Sequence, residues 1–360
     1  MKTQMKLYMP TLVYHEKDCI RKHGKELASF GKKALIVTGR SSSRKNGSLD
    51  AVIEALTSNQ VEYVIFDEIE ENPSVETVMK AREFGIQNAV DYVIGIGGGS
   101  PMDACKAIAL MITNPNQNEK VLYKNEALTC MPVVAIPTTA GTGSEVTPYA
   151  ILTLHAEKTK RSISHHIFPK LALMDPTYLK TQSRSGLVST AVDTLAHLIE
   201  SYLNTNSNEF NRIYSERGLQ VWAKVKDALR TGDLEDVDYD LLMQASMLGG
   251  MAISHTGTSL PHGMSYAITY ELGTPHGKAV GIFLAGYVSC YKEKEEANRI
   301  LNILGFDSIE AFASYLKELL GEVEISNDLL DRDIDDLLAN RAKLKNYPFE
   351  ITKEELLRFL

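Results

Sequence analysis

Short apolar runs alternate with helical patterns through the first half of this chain, and that alternation limits the folds it can adopt. The runs KKALIVTG (32–39), VEYVIFDE (61–68) and DYVIGIGGG (91–99) predict buried strands, as do MPVVAIP and KLALMDP further along. Stretches between them, such as SLDAVIEALTSN, carry apolar residues at spacings of three and four. Strands that alternate with helices predict a parallel sheet with helices on its faces.

The second half of the chain predicts helices almost throughout. After about residue 180 the strand pattern disappears, and segments such as STAVDTLAHLIESYL and LLMQASMLGGMAIS have helical spacing. A chain of 360 residues also exceeds the length at which one hydrophobic core usually keeps growing. We therefore predict two domains, an α/β domain with a Rossmann-like parallel sheet over residues 1–180 and an all-α domain over residues 181–360.

Charge and composition argue against several classes of partner. The formal net charge is −8, which repels nucleic acid and anionic membranes. No apolar run is long enough to span a membrane, and the first residues lack the apolar region and cleavage site of a secretory signal. The four cysteines are widely separated and form no CxxC pair. We expect a cytoplasmic protein with reduced cysteines and with neither nucleic acid nor membrane as a partner.

A glycine-rich turn in GIGGGSPMDACKAIALMI follows one predicted strand and opens a predicted helix. Glycines let the backbone approach a phosphate closely, and the N-terminus of a helix offers unpaired N–H donors. Gly98, Gly99 and Ser100 would form this site. Because Ser100 replaces the last glycine of the G-x-G-x-x-G fingerprint, a tight turn that binds nothing is the alternative.

A second loop, PTTAGTGSE, strengthens the nucleotide interpretation. It also follows a strand of the predicted sheet, and it adds the hydroxyl groups of Thr138, Thr139 and Thr142. Two such loops at adjacent strand ends predict one extended nucleotide in the crevice where open α/β sheets bind their ligands.

The loop after the first strand favours NADP(H) over NAD(H). Many NAD sites carry an acidic residue at the end of a strand, where it binds the adenosine ribose and repels a 2′-phosphate. Here the strand ends at Gly39, and a loop of hydroxyl and cationic side chains follows. That loop comprises Arg40, Ser41, Ser42, Ser43, Arg44 and Lys45. Hydroxyls and cations suit a 2′-phosphate. An exposed basic turn without a ligand is the alternative.

Four side chains in the second half predict a metal site. On a helix, Asp193 and His197 in TAVDTLAHLIESY lie one turn apart on the same face. His262 and His276 in LPHGMSYAITYELGTPHG could complete the ligand set. One carboxylate with three imidazoles suits Fe(II) or Zn(II) better than Ca(II) or Mg(II). The alternative is that each is an ordinary hydrogen-bonded polar group.

Taken together, these motifs resemble those of the iron-dependent (group III) alcohol dehydrogenases. The resemblance covers nearly the whole chain. It runs from YMPTLVYHEK, VTGRSSSRKNGSLD, EENPSVETV and GIGGGSPMDACKA through PTTAGTGSEVTPYAILT and MDPTYL to AVDTLAHLIESYL, LPHGMSYAI and GTPHGKAVGI. The family implies an N-terminal dinucleotide-binding α/β domain, a C-terminal helical domain and a catalytic metal in the cleft between them. Dehydroquinate synthases share this architecture.

The resemblance also implies roles for individual residues. It places the metal ligands on Asp193, His197, His262 and His276. It places the cofactor contacts on Asn72, Gly98, Gly99, Ser100, Asp103, Thr138, Thr139, Thr142 and Lys160, and it puts Gly39 where NAD-preferring members carry an aspartate. Some members carry a histidine four residues after the third ligand, where this chain has Tyr266. Because a phenol is a poor base at neutral pH, the proton-relay residue is open, with His255 and Tyr266 as weak candidates.

These implications describe a metal-dependent alcohol dehydrogenase or aldehyde reductase. It would transfer a hydride between NADP(H) and a short primary alcohol, diol or aldehyde. Alternatives are a polyol dehydrogenase of the glycerol type, a dehydroquinate synthase-like lyase and a nucleotide-binding regulator with a vestigial site. The resemblance further suggests a homo-oligomer, at least a dimer, that pairs edge strands from the N-terminal segment MKLYMPTLVYHE.

Overall fold

The computed structural model describes residues 6–157, 159–340 and 344–360, and the chain divides into two compact units. The α/β unit comprises Met9–Thr139 and Gly143–Gln182. The helical unit comprises the segment up to Tyr8, the short loop Ala140–Thr142 and the chain from Ser183 to Leu360. The inclusion of Ala140–Thr142 in the helical unit is not evident from the sequence. The binding roles predicted for the two halves stay predictions.

The α/β unit is built on a parallel sheet. Its strands are β1 (Leu12–His15), β2 (Lys33–Thr38), β3 (Glu62–Phe66), β4 (Tyr92–Gly97), β5 (Val133–Pro137), β6 (Ile151–Leu154), β7 (Thr159–Ser162) and β8 (Leu171–Met174). Six of them form the sheet in the order β1-β8-β5-β4-β2-β3, and every pairing is parallel. The prediction of a Rossmann-like parallel sheet is confirmed.

The strand β1 lies at one edge of the sheet, within the N-terminal segment for which an edge strand is expected. The strands β6 and β7, in contrast, are missing from the sequence prediction and form a separate antiparallel hairpin. Each has only four residues, and β7 (TKRS) is polar and largely exposed. Such short or polar segments lack the continuous apolar run from which a buried strand is predicted.

Helices cover both faces of the sheet. They are α1 (Cys19–Lys22), α2 (Gly24–Leu27), α3 (Ser42–Lys45), α4 (Ser48–Ser58), α5 (Val75–Gln87) and α6 (Gly99–Thr113). Alternate residues of the central strands enter two separate apolar clusters, with Leu35 and Val93 in one and Ile36 and Ile94 in the other. Because both faces are buried, β2 and β4 are apolar along almost their whole length.

The helical unit contains eleven further helices within the described residues, and no strand among them. They are α7 (Arg184–Tyr202), α8 (Glu209–Ala223), α9 (Lys226–Thr231), α10 (Asp236–Thr256), α11 (Leu260–Leu272), α12 (His276–Gly281), α13 (Leu284–Cys290), α14 (Lys294–Leu304), α15 (Ile309–Leu320), α16 (Asn327–Ala339) and α17 (Lys353–Leu357). In these ranges we find no helix with the length and apolar character needed to cross a membrane.

Helix α7 lies at the centre of the helical unit. It packs against α8, α10 and α12, and nearly every residue from Leu187 to Tyr202 is buried. A helix that is buried on all sides is normally apolar on all sides. The acidic and imidazole side chains of Asp193, His197 and Glu200 on α7 therefore need specific partners, because a buried charge without one is costly.

Candidate active site

Three imidazoles surround one carboxylate oxygen in the helical unit. From Oδ1 of Asp193, the Nε2 atom of His262 lies at 3.4 Å, that of His276 at 3.7 Å and that of His197 at 3.9 Å. The rings of His197 and His262 are stacked, with centroids 4.7 Å apart. The fold thus brings together the four side chains that the sequence proposes as metal ligands, although they come from three helices.

The donor set fits a divalent transition metal. Oδ1 of Asp193 and Nε2 of His262 are both buried, and neither has a hydrogen-bond partner among the described residues. Donor atoms on one tetrahedral ion with bonds of about 2.1 Å lie about 3.4 Å apart, close to the spacing around Oδ1. Asp193, His262 and His276 each offer a ligand atom, and these atoms all lie within 4.8 Å of one another. One carboxylate and three imidazoles accept both Fe(II) and Zn(II).

Hydrogen bonds fix the tautomers of two imidazoles. Nδ1 of His197 lies 3.2 Å from the carbonyl oxygen of Gly141, and Nδ1 of His262 lies 2.6 Å from Oε1 of Glu200. Both partners can only accept, so each Nδ1 carries the hydrogen and donates it. In both rings the other nitrogen, Nε2, faces Asp193 and is the atom that can bind a metal. Metal-binding histidines are typically held in this way.

Charges inside the site shift the pKa values of its groups. Burial by itself raises the pKa of Asp193, but the nearby imidazoles, first His197 and then His262 and His276, outweigh burial and hold that pKa well below its usual range. Burial by itself lowers the pKa of His262, yet the carboxylates of Glu200 and Asp193 raise it to about 10. The two carboxylates thus create a negative potential that attracts a cation.

Close backbone packing places His276. It is the first residue of α12, and its neighbour Gly277 lies against α7, where an added Cβ would come within 1.8 Å of the carbonyl oxygen of Ser189. Only glycine allows this approach. The side chain of His276 is 30% exposed, whereas those of Asp193 and His262 are 4% exposed. His276 is therefore on the side of the donor set that a small molecule can reach.

The two candidates for proton relay lie in different surroundings. In His255, Nδ1 lies 2.7 Å from the carbonyl oxygen of Met251, and Nε2 accepts the N–H of Tyr8 at 3.1 Å. Both ring nitrogens are thus used to hold the backbone. The ring of Tyr266 stacks against that of His276, with centroids 6.2 Å apart and planes 11° apart. Tyr266 therefore lies beside the proposed metal ligands, whereas His255 has a structural role.

The two glycine-rich segments meet in the α/β unit. The N–H of Thr138 donates to the carbonyl oxygen of Gly97 at 2.8 Å, and a Cβ on Gly98 would lie 3.1 Å from Oγ1 of Thr139. Gly97 has φ +149°, a conformation that side chains disfavour. Helix α6 begins directly afterwards, so its N-terminus follows the turn. Thr142, in contrast, belongs to the helical unit.

Asn72 connects two other residues that the resemblance names as cofactor contacts, Ser100 and Lys160. Its N–H donates to Oγ of Ser100 at 3.1 Å, and its Oδ1 accepts from Nζ of Lys160 at 2.7 Å. Thr153 of β6 donates to its carbonyl oxygen at 2.9 Å. Asn72 has φ +58°, which asparagine tolerates better than most residues. Burial lowers the pKa of Lys160 to about 8.

Both carboxylate oxygens of Asp103 accept hydrogen bonds from other residues of the α/β unit. Its Oδ1 accepts the hydroxyl of Ser144 at 2.5 Å, and its Oδ2 accepts the N–H of Ile151 at 2.9 Å. Lys106, which is fully buried, donates to Oγ of Ser144 and to the carbonyl oxygen of Tyr149, each at 2.7 Å. The buried cluster of Asp103, Lys106 and Ser144 thus ties α6 to the segment after the second loop. Sequence spacing alone does not show this.

The loop after β2 differs in part from the sequence prediction. Ser43 is buried and shares a hydrogen bond of 2.8 Å with Thr38, so only Ser41 and Ser42 are exposed. A cleft of about 610 Å³ is lined by Arg40, Glu68, Ile69, Glu70, Thr77 and Lys80. The sequence near Gly39 predicts a phosphate site with cations and without carboxylates. In the structure, Glu68 and Glu70, which follow β3, also line this cleft. Glu68 pairs with Lys80 at 2.6 Å, and Glu70 accepts from Ser74 and Thr77.

Comparisons with known proteins show the family to which the chain belongs. A model described as iron-containing alcohol dehydrogenase matches residues 10–176, and one described as the Fe-containing alcohol dehydrogenase family, C-terminal, matches residues 187–353. A crystal structure of an iron-containing alcohol dehydrogenase from Thermotoga maritima is 38% identical, covers 98% of each chain and has a TM-score of 0.91.

Two curated proteins are also similar along most of their length. Alcohol dehydrogenase 4 of Schizosaccharomyces pombe is 28% identical, over 93% of this chain and 83% of its own. NADPH-dependent butanol dehydrogenase of Clostridium saccharobutylicum is 27% identical, over 94% of this chain and 91% of its own. Because the matches include both units and a solved structure of the same kind, this chain belongs to the iron-containing alcohol dehydrogenase family.

Proposed function

We propose that this enzyme transfers a hydride between NADP(H) and a short primary alcohol, diol or aldehyde, with Fe(II) bound by Asp193, His197, His262 and His276. Membership of the family implies iron and a nicotinamide cofactor. The observation that carries the proposal is the carboxylate oxygen of Asp193 with three imidazole nitrogens within 4 Å of it.

The residues of the site have distinct roles in this reaction. When bound, the ion supplies a Lewis acid that polarises an alcohol or carbonyl oxygen. The carbonyl of Gly141 and the carboxylate of Glu200 hold two imidazoles in the tautomer that binds it. His276, which is partly exposed, and the neighbouring ring of Tyr266 form the surface that a substrate would meet. Both side chains are aromatic rings, which suit a short uncharged alcohol better than a phosphorylated one.

The cofactor preference follows from the charge around Gly39. A Cβ at this position would meet only the carbonyl oxygen of Ile69, at 3.4 Å, so glycine is not required there for packing. Glycine at position 39 means that no carboxylate side chain follows directly after β2. Arg40 lines the adjacent cleft, and the carboxylates there already have partners. The 2′-phosphate of NADP(H) would meet the cations Arg40 and Lys80 in this cleft, where Lys80 also pairs with Glu68.

The test is metal analysis of anaerobically purified protein together with rates for NADPH and NADH on a panel of substrates. We expect about one iron per chain, faster turnover with NADPH and activity on butyraldehyde. Glycerol belongs in the panel, since a higher rate with glycerol than with primary alcohols would indicate a polyol dehydrogenase instead.

His262→Ala provides the specific variant, and His255→Ala is its matched control. Both replace a histidine of the helical unit, but only His262 faces Asp193. We expect His262→Ala to lose bound metal and turnover while it keeps its far-UV circular dichroism, and His255→Ala to keep its metal. Full turnover of metal-free protein would refute the proposal.

A further inference from the structure

Glu200 is a buried carboxylate that the sequence pattern does not single out. It lies on α7, three residues after His197, and is completely buried. Its Oε1 accepts the Nδ1–H of His262 at 2.6 Å, and its Oε2 accepts the N–H of Ser259 in a short hydrogen bond. Ser259 directly precedes α11, the helix that carries His262. Both oxygens of Glu200 are therefore committed to the start of that helix.

These contacts orient one donor of the metal candidate. With Nδ1 of His262 held as a donor, its Nε2 lies 3.4 Å from Oδ1 of Asp193 and is the nitrogen available to a metal. His197 is held by a neutral carbonyl group instead. A carboxylate partner makes an imidazole more basic than a carbonyl partner does, so His262 becomes the stronger donor of the two.

Glu200 also changes the charge of the site. It and Asp193 are both buried, and among the described residues neither makes an ion pair with a lysine or arginine. Two buried carboxylates whose only charged partners are imidazoles are costly. A cation with two positive charges balances them, whereas one carboxylate alone would leave an excess positive charge on the occupied site.

We propose that Glu200 is a positioning residue for the metal, which holds His262 in its binding tautomer and supplies the second negative charge that matches a divalent ion. This inference rests on the proposed function, because it presumes that the donor set around Asp193 binds a metal. It assigns no substrate contact to Glu200.

The experiment compares Glu200→Gln with Glu296→Gln. Both variants replace a hydrogen-bonded carboxylate of the helical unit, but Glu296 pairs with Tyr202 and Arg212 and touches no imidazole of the site. Affinities for Zn(II) and Co(II) are measured by competition with a chelator. We expect a loss of about 10- to 100-fold for Glu200→Gln and a change of less than about twofold for Glu296→Gln.

Two further measurements separate a positioning role from loss of fold. The d–d absorption bands of cobalt-loaded Glu200→Gln should shift, since one donor becomes less basic. NADPH affinity, measured without metal by fluorescence titration, should stay at the wild-type value. Wild-type metal affinity together with an unchanged cobalt spectrum in Glu200→Gln would overturn this inference alone. Wild-type protein that binds no divalent metal would overturn the proposed function as well.

Discussion

At the scale of single residues, the site depends on which nitrogen of each imidazole carries hydrogen. His197 and His262 both hold the hydrogen on Nδ1, because their partners Gly141 and Glu200 can only accept. The two Nε2 atoms consequently face one carboxylate before any ion binds. Such preorganisation reduces the cost of ordering ligands on binding.

Gly39 gives a direct test of the cofactor preference. We expect Gly39→Asp to lower kcat/KM for NADPH at least about tenfold relative to NADH, because the new carboxylate repels the 2′-phosphate. Gly39→Ala is the matched control. Its Cβ has room beside the carbonyl oxygen of Ile69, so the preference should not change. A wild-type enzyme that prefers NADH would contradict the assignment regardless of either variant.

Lys160 predicts a pH dependence of cofactor binding. Burial lowers its pKa to about 8, so the side chain is charged below that pH and loses its charge above it. Because NADPH is an anion, its affinity should be highest below pH 8 and should fall by up to about tenfold by pH 9. Fluorescence titration of NADPH from pH 7 to 9 measures this.

Lys160→Arg supplies the control for that experiment. Arginine keeps its charge from pH 7 to 9, so the NADPH affinity of this variant should not depend on pH. If the wild-type protein and Lys160→Arg show the same pH dependence, another group is responsible and Lys160 has no contact with the phosphates.

At the scale of elements, the proposed metal site depends on the close packing of α12 against α7. Gly277→Ala would place a Cβ within 1.8 Å of the carbonyl oxygen of Ser189, a backbone atom that cannot move independently. We expect α12 to shift together with His276, the free energy of unfolding to fall by about 1–3 kcal/mol, and metal affinity to drop. Chemical denaturation and chelator competition provide the two measurements.

Gly249→Ala is the matched variant on α10. Its Cβ would lie 3.5 Å from the Cβ of His197, which is ordinary contact. Since alanine favours a helix over glycine by up to about 1 kcal/mol, this variant should be neutral or slightly stabilising and should keep its metal. Equal metal affinities in the two glycine variants would show that α12 does not need its present position.

At the scale of the whole molecule, β1 offers an edge for assembly. Within the described residues no strand pairs with its outer side, and Leu12 is 50% exposed. The N–H of Leu12 donates to the carbonyl oxygen of Lys170, which directly precedes β8. Because successive backbone N–H groups along a strand point to opposite sides, the N–H of Val13 points away from the sheet. The predicted pairing segment begins at Met5, which lies outside the described residues.

We expect a dimer in light scattering that Val13→Pro converts to a monomer. Proline removes the outward N–H while the hydrogen bonds to β8 remain. Val13→Ala keeps that N–H and should stay dimeric. A monomeric wild-type protein, or a Val13→Pro variant that is still a dimer, would rule out pairing through this edge.

Much of the architecture is predictable because its causes are local. Continuous apolar runs predict β2, β4 and β5, since a strand buried on both faces has no polar side. The hairpin of β6 and β7 is not predicted, because β6 has only four residues and β7 is polar. Likewise, a spacing of four residues places Asp193 and His197 on one helical face, whereas no spacing shows that His262 and His276 from later segments lie beside them.

What the sequence determined by itself is the type of the long apolar strands and helices and the chemical identity of the candidate ligands. Tertiary structure alone decided their partners. Three hydrogen bonds join residues that are far apart in the sequence. Glu200 and His262 are separated by 62 positions, Gly141 and His197 by 56, and Asp103 and Ser144 by 41. Periodicity reports only neighbours within a few residues, while these contacts depend on how distant segments pack. For that reason Glu200, seven residues after Asp193 on the same helix, becomes recognisable only when α11 is seen beside it.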